Sequence, residues 1–313
     1  MENNLNNKNI GTNGWVQWLD DDNFKQLIKQ LLLKYKNEDK QHEIKTEKNK
    51  IELFELFELF NETDEQCQST FINDLGYCYQ HGLGIEKNET KAFELFKEAA
   101  EQGQAISMYN LGYCYQYGIG TEKSEIKAFE LYNKAADKGH IDSIYNLGFF
   151  YQHGVGVKKN EIKAFKIYRI AAEKGHVDSI FELGYCYQHG IGIIKNRIKA
   201  FESYERAAEM GDVESTHRLG FCYQVGTGTK INEIKAFELY NKAAEEGHIA
   251  SINSIGYCYQ NGIGTEKDEI KAFEMYTKAA EKDDLDAIFN LGYCYEHGIG
   301  TEKDLFQAFH YYS

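Results

Sequence analysis

From residue 69 onward, apolar and small residues fall into a pattern that returns every 36 positions. The glycine of a Leu-Gly or Ile-Gly pair stands at Gly76, Gly112, Gly148, Gly184, Gly220, Gly256 and Gly292, with no insertion or deletion between copies. Columns are counted from residues 69, 105, 141, 177, 213, 249 and 285. Column four is then Ile72, Met108, Ile144, Ile180, Thr216, Ile252 and Ile288, column seven is Leu or Ile, column eight is Gly and column eleven is always Tyr. Apolar and small residues at four, seven, eight and eleven share one face of an α-helix. The pattern predicts a first helix, A, in every unit. A fixed period in this range marks stacked supersecondary units that bury their apolar faces on one another.

Glycines at columns fourteen and sixteen then interrupt the pattern, as at Gly118 and Gly120. Column twenty is Asn88, Ser124, Asn160, Asn196, Asn232, Asp268 and Asp304. These residues suit an N-cap, because a short side-chain oxygen can accept from an orphan amide of the first turn. Glutamate follows in most units, where the helix dipole favours negative charge. A second helix, B, carries Ala, Phe, an aromatic ring and two alanines at columns 24, 25, 28, 31 and 32 and closes on a glycine such as Gly139 or Gly175. Glycine inside helix A costs roughly 1 kcal/mol relative to alanine. Its recurrence predicts close approach of A and B, with the column 31 and 32 alanines opposite it and Tyr and Phe rings filled in around.

Composition narrows the function. The chain has 313 residues, 49 acidic against 35 basic, for a net charge of −14, which argues against nucleic acid as a direct partner. The opening MENNLNNKNIG has no apolar core of a secretory signal, and no apolar run approaches the roughly 18–20 residues needed to span a bilayer. The N-x-T matches at Asn61 and Asn88 are therefore not expected to be glycosylated. Seven cysteines without an export signal fit a reduced compartment, and the expected location is the cytoplasm. The chain contains no proline, so turns fall to Gly, Asn, Asp and Ser.

Columns 4, 7, 8 and 11, followed by Ala, aromatic and Ala at 24, 28 and 31, resemble the tetratricopeptide pattern with a longer loop between the helices. The loop Y-x-x-G-x-G followed by K-A-F-E-x-Y-x-K-A-A-E-x-G is similar to the Sel-like repeat (SLR) subclass over residues 69–313. The resemblance implies an all-α, right-handed superhelical α-solenoid of stacked helical hairpins. It places six full repeats at 69–104, 105–140, 141–176, 177–212, 213–248 and 249–284 and an incomplete seventh at 285–313. Members of the family are mostly adaptors holding protein complexes together. Fungal ones include chitin-synthase activators, and some are coupled to kinase domains, so a fungal type is expected.

Before the repeats, residues 1–14 include six asparagines and are expected to be disordered. Residues 15–35, WVQWLDDDNFKQLIKQLLLKY, read as one amphipathic helix, with Trp15, Trp18, Leu19, Phe24, Ile28, Leu31 and Leu32 free to dock. The segment weakly resembles the one before the kinase domain in fungal kinase and SLR proteins, but no His-Arg-Asp, Asp-Phe-Gly or glycine loop with a strand lysine follows. Residues 36–50 read as a charged linker, and 51–68, with ELFELFELF, as a degenerate capping half-repeat. At the other end, FHYYS offers no polar outer face, which fits either self-association through an uncapped C-terminal end or a shortened gene product.

Residues that suggest chemistry are better used in packing. Cysteine fills column ten in six units and Phe150 fills it in the third, which marks an apolar niche. Stacked helices set such sulfurs roughly 10 Å apart, too far for a disulfide bond of about 2 Å. Cys78 with His81, Cys186 with His189 and Cys294 with His297 are pairs at i and i+3, but zinc needs about four ligands, so no metal and no cofactor is expected. Gly118-Ile119-Gly120 follows a helix rather than a strand, so it lacks the setting of a dinucleotide loop. No Ser, His and acid recur at triad-like spacing, and no enzymatic activity is expected.

What remains is surface. The tetratricopeptide resemblance implies that helix A columns 2, 5, 9, 12 and 13 line the concave side. The candidate partner-binding residues there are Tyr77, Gln80, His81, Tyr109, Tyr113, Gln116, Tyr117, Tyr145, Phe149, Gln152, His153, Phe181, Tyr185, Gln188 and His189. Rings can cover apolar side chains of an extended or basic protein segment while glutamines bond its backbone in both senses. Against this, column nine can serve helix-to-helix packing, and glutamine is also an ordinary solvated helix former. Tyr109, Tyr145 and Phe181 mark the expected hot spot. The reading is a non-enzymatic protein–protein adaptor or scaffold, with regulation of a chitin synthase or a kinase pathway as the alternative.

Overall fold

The computed structural model describes residues 65–83 and 86–313. Among them there are fourteen helices and no strand. The chain divides into two compact units, Met1–His140 and Ile141–Ser313. The first contains α1 (Glu65–His81), α2 (Glu89–Glu101), α3 (Ala105–Tyr117) and α4 (Glu125–Asp137). The second begins with α5 (Ile141–His153), α6 (Glu161–Glu173), α7 (Val177–His189), α8 (Arg197–Glu209) and α9 (Val213–Val225). It continues with α10 (Glu233–Glu245), α11 (Ile249–Asn261), α12 (Glu269–Ala280), α13 (Leu285–His297) and α14 (Leu305–Tyr312). Odd helices are the A helices and even ones the B helices. Within each unit every A packs on its own B, and each B on the A that follows. The protein is thus an all-helical repeat solenoid.

Sequence chemistry explains where the elements begin and end. Asn160 Oδ1 accepts from the Lys163 amide at 2.9 Å and Asn196 Oδ1 from that of Lys199 at 3.0 Å, opening α6 and α8. The cap's own amide turns back: Asn160 N donates to the Tyr151 carbonyl at 2.7 Å, which closes the loop between A and B. Helix α7 closes on Gly190 in the left-handed conformation, its amide on the Cys186 carbonyl. At the end of α12 the left-handed position is held by Asp283 instead of glycine.

The small residues pack differently from the sequence expectation. A Cβ on Gly184 would lie 2.7 Å from the Tyr204 ring, so column eight admits the column 28 ring of helix B. The alanines face elsewhere: Ala172 clusters with Ile180 and with Ala207 of the next repeat. Small residues on B bring successive repeats together, and the glycine on A brings A and B together. The second loop glycine also has a structural partner. A Cβ on Gly264 would fall 2.1 Å from the Glu233 carbonyl oxygen in the first turn of α10, so the loop lies directly on the preceding repeat.

The expectations for residues 1–14, 15–35, 36–50 and 51–64 lie outside the described residues. Helix α1 starts at Glu65, so 65–68 run continuously into the first A helix.

Candidate partner-binding face

The fifteen candidate residues all lie on A helices. Tyr77, His81, Tyr117, His153 and His189 are exposed, Gln152 is buried, and the others are half-buried. Columns nine and thirteen sit one turn apart, and their rings meet. The centroids are 4.2 Å apart for Tyr77–His81, 4.5 Å for Tyr113–Tyr117, 4.4 Å for Phe149–His153 and 4.2 Å for Tyr185–His189. Desolvation, and then Lys87, Lys159 and Lys195 in turn, hold His81, His153 and His189 below the ordinary histidine range. They are therefore neutral rings at neutral pH. The row goes on past the candidates: Phe221, Tyr257 and Tyr293 are 42%, 47% and 40% exposed.

The glutamines of column twelve do something neither sequence reading foresaw. Gln116, Gln188, Gln224 and Gln260 each accept from the buried column 28 tyrosine of their own repeat, as Gln116 Oε1 does from Tyr132 Oη and Gln188 Oε1 from Tyr204 Oη, both at 2.7 Å; in the first repeat column 28 is Phe96, which has no hydroxyl to donate to Gln80. The carbonyl end is therefore spent internally, and the amide NH2 is the group available to a partner. The third repeat departs from this, since Gln152 Oε1 and Tyr168 Oη are both buried without a partner.

Column five divides in two. Tyr109, Tyr145 and Phe181 lie over column 28 rings at 5.6, 5.9 and 5.8 Å, and Tyr145 also stacks on His176 at 4.9 Å. Each is half-buried. Asn73, His217 and Asn253 are hydrogen-bonded into the next A helix, for example His217 Nδ1 to Ser251 Oγ at 2.9 Å, and His217 also lies over Tyr240 at 5.3 Å. Variation at this column thus reflects packing between repeats as well as surface.

The structure also assembles what spacing along the chain did not show, a Ser, His and acid cluster in two places. His176 Nδ1 meets Ser179 Oγ at 3.0 Å while its Nε2 meets Asp142 at 3.3 Å. His248 makes the same contacts with Ser251 and Glu214, both at 2.9 Å. These histidines are N-caps of α7 and α11, accepting from the Ser179 and Ser251 amides. Both serines are 0% exposed, so neither oxygen can meet a substrate. The hydrogen bond from His248, ahead of other effects, holds Glu214 down at about 2, and burial first holds His217 down at about 4. The arrangement is a helix cap that ties one repeat to the next. It escaped the sequence reading because its members are split between columns 36, 3 and 2 of neighbouring units; the recurring His or Asp before the A helices from α5 onward was the available signal.

The cysteines at column ten are buried and unpaired, and burial raises Cys114 and Cys186 to about 12, far from thiolate chemistry. Cys186 is enclosed while His189, one turn on, is exposed, so the pair does not converge on one point. Among the described residues no group of three or more His, Cys, Asp or Glu side chains is placed to hold a metal ion.

Comparison with known proteins agrees with this architecture. The Sel1 repeat family matches at residues 71–104, 105–140, 141–176, 177–212, 213–248, 249–284 and 285–313. A protective antigen of uropathogenic Escherichia coli that displays an SLR fold is 32% identical, with a TM-score of 0.71 over 82% of this chain. The present chain spans only 55% of that protein's length. A Sel1 repeat protein from Oxalobacter formigenes is 29% identical, with a TM-score of 0.71, over 80% of this chain and 96% of its own. These relatives are bacterial, and the narrower fungal type has no support among them. No curated protein matches the chain at a significant level.

Proposed function

Because the chain belongs to the Sel1 repeat family, whose solenoids serve in protein–protein interaction, we propose that it is a non-catalytic scaffold holding partner segments on the exposed face of its A helices. The observation that carries this reading is the repeated ring pair of columns nine and thirteen. Paired neutral rings present apolar area on a rigid helix, so little side-chain entropy is lost on binding. The glutamine NH2 groups beside them supply donors for a partner's carbonyls. Replacing Phe149 and Tyr185, two column nine rings of these pairs, together with alanine should abolish partner capture from the protein's own cells while leaving helical circular dichroism intact. Undiminished capture rejects this face.

Three finer readings belong to the same proposal. Cytoplasmic placement is supported by the unpaired thiols of the described cysteines and is checked by fractionation. No helix among the described residues is long and apolar enough to cross a membrane. Self-association is supported by Phe309, exposed on α14, where the equivalent Phe273 ring packs on Tyr295; sedimentation reads it directly. Regulation of a chitin synthase or kinase pathway rests on the Trp15–Tyr35 segment, and deletion of residues 1–50 is its test.

A further inference from the structure

The loop between helices A and B and the first turn of B form an edge that the scaffold reading does not use. Successive loops interlock along it. A Cβ on Gly192 would lie 2.1 Å from the Glu161 carbonyl oxygen, and one on Gly228 would lie 2.1 Å from that of Arg197. The loop of the fourth repeat therefore rests on the first turn of α6, and the loop of the fifth on the first turn of α8. Columns 18 to 23 of the third, fourth and fifth repeats are thus brought side by side.

Two properties set this stretch apart. The first is charge. In the first, second and sixth repeats columns 18 and 21 are glutamates, and Lys87, Lys123 and Lys267 at column 19 pair with the second of them at 2.7, 2.9 and 2.8 Å. In the middle three repeats column 18 becomes Lys158, Ile194 and Lys230, and column 21 of the fourth becomes Arg197. Lys158, Lys195, Arg197 and Lys230 are exposed and form no ion pair among the described residues. Over these columns the three repeats carry eight basic side chains against two acidic ones, in a chain of net charge −14.

The second property is aliphatic area. Ile162, Ile198 and Ile234, all at column 22, are 60%, 60% and 64% exposed, and Ile194 and Ile231 in the loops are 87% and 63% exposed. Column 22 is also exposed isoleucine at Ile126 and Ile270, but there glutamates precede it at columns 18 and 21. Apolar side chains grouped on a surface mark a contact site.

We infer that this edge of the third to fifth repeats docks on the surface of an anionic phospholipid bilayer. The inference goes beyond the scaffold reading and uses a face of its own, the first turns of B helices in place of A-helix rings. Side chains so exposed stand clear of their neighbours instead of lining a groove, which suits a deformable surface that closes around them. The isoleucines enter the boundary between headgroups and acyl chains, while the lysines and Arg197 beside them meet the phosphates. Such docking requires no membrane-crossing helix. The acidic remainder of the molecule is repelled by the same bilayer, which turns the basic edge toward it. That repulsion is screened over about 8 Å at physiological salt, so contact is governed by the edge.

The test is flotation of the full chain with vesicles of phosphatidylcholine, alone or with about 30% phosphatidylserine. Flotation is expected with the second vesicle only, weakening as salt rises. Lys158→Glu, Arg197→Glu and Lys230→Glu together install the glutamates of the sibling repeats and should lower the partition coefficient about a hundredfold. Ile194→Ser with Ile231→Ser keeps every charge and should lower it about tenfold. All five positions are exposed, so thermal melting should stay unchanged. No flotation, equal flotation with both vesicles, or flotation undiminished in either variant overturns the proposal. Binding of a polyglutamate peptide without flotation also overturns it and assigns the edge to an acidic protein. The scaffold reading is separable, since partner capture through the rings should be unaltered in both edge variants.

Discussion

Glu182 shows how a residue that does not recur can be costly to the fold. Burial first, and Asp178 second, raise its carboxyl to about 7. A carboxylate whose folded pKa lies above its unfolded value binds protons more readily in the folded state. Stability therefore falls as pH rises from the unfolded pKa, near 4.5, through 7, and the full penalty stands above that. Glu182→Gln should raise stability by about 1–2 kcal/mol at pH 8, discounted for the part of the group that water screens, and change little at pH 4.5. Urea unfolding of both proteins at the two pH values checks this, and a gain of equal size at both would show that charge is not the cause. Glu182 was absent from the candidate residues because periodic reading favours what recurs. Its setting depends on burial and on Asp178 one turn before it, and burial shows only when successive repeats are brought together. The recurring features at this scale, such as the Asn and Asp caps and the enclosed cysteines, were legible because each acts within its own repeat.

At the scale of elements, the apolar spacing announced both helices of every repeat, and short polar caps and glycines set their bounds. What the loop does was not legible, since Gly-x-Gly reads as a turn whatever it touches. The second glycine carries the contact between repeats: at Gly264 the backbone has φ 65° and a Cβ would meet the Glu233 carbonyl oxygen at 2.1 Å. A left-handed non-glycine residue costs roughly 1–2 kcal/mol, and displacing a backbone neighbour costs typically 1–3 more. Gly264→Ala should therefore destabilise the protein by about 3 kcal/mol. In a solenoid that loss is nearest-neighbour in character. Hydrogen exchange should accelerate in α10, α11 and α12 while α6 and α7 keep their protection; uniform acceleration through the second unit would contradict a loop acting on one interface. The column eight glycine was read correctly as a site of close approach but given the wrong partner, because A-to-B depth is set by the largest buried side chain on B. That side chain is the column 28 ring, 0% exposed at Tyr204, and not the alanines.

For the molecule as a whole, the 36-residue repeat was sufficient to place the chain in its family, since seven stacked hairpins leave little choice of architecture. It says less about the binding face, because the same A-helix columns serve packing and surface together. Charge acts at this larger scale. A protein of net charge −14 attracts a basic segment before contact, and that attraction is screened over about 8 Å at physiological salt. The ring pairs of columns nine and thirteen act only after contact, when water has been displaced. The two effects separate kinetically. Raising ionic strength from about 50 to about 500 mM should slow association of the captured partner by about tenfold while changing its dissociation by less than about twofold. Tyr185→Ala should do the reverse, speeding dissociation by about tenfold with association nearly unchanged, because an uncharged ring leaves the distant field unaltered. Stopped-flow measurement over the salt series reads both rates. Association that ignores salt would mean the partner is not drawn by charge, and the basic segment would have to be given up while the ring face stood.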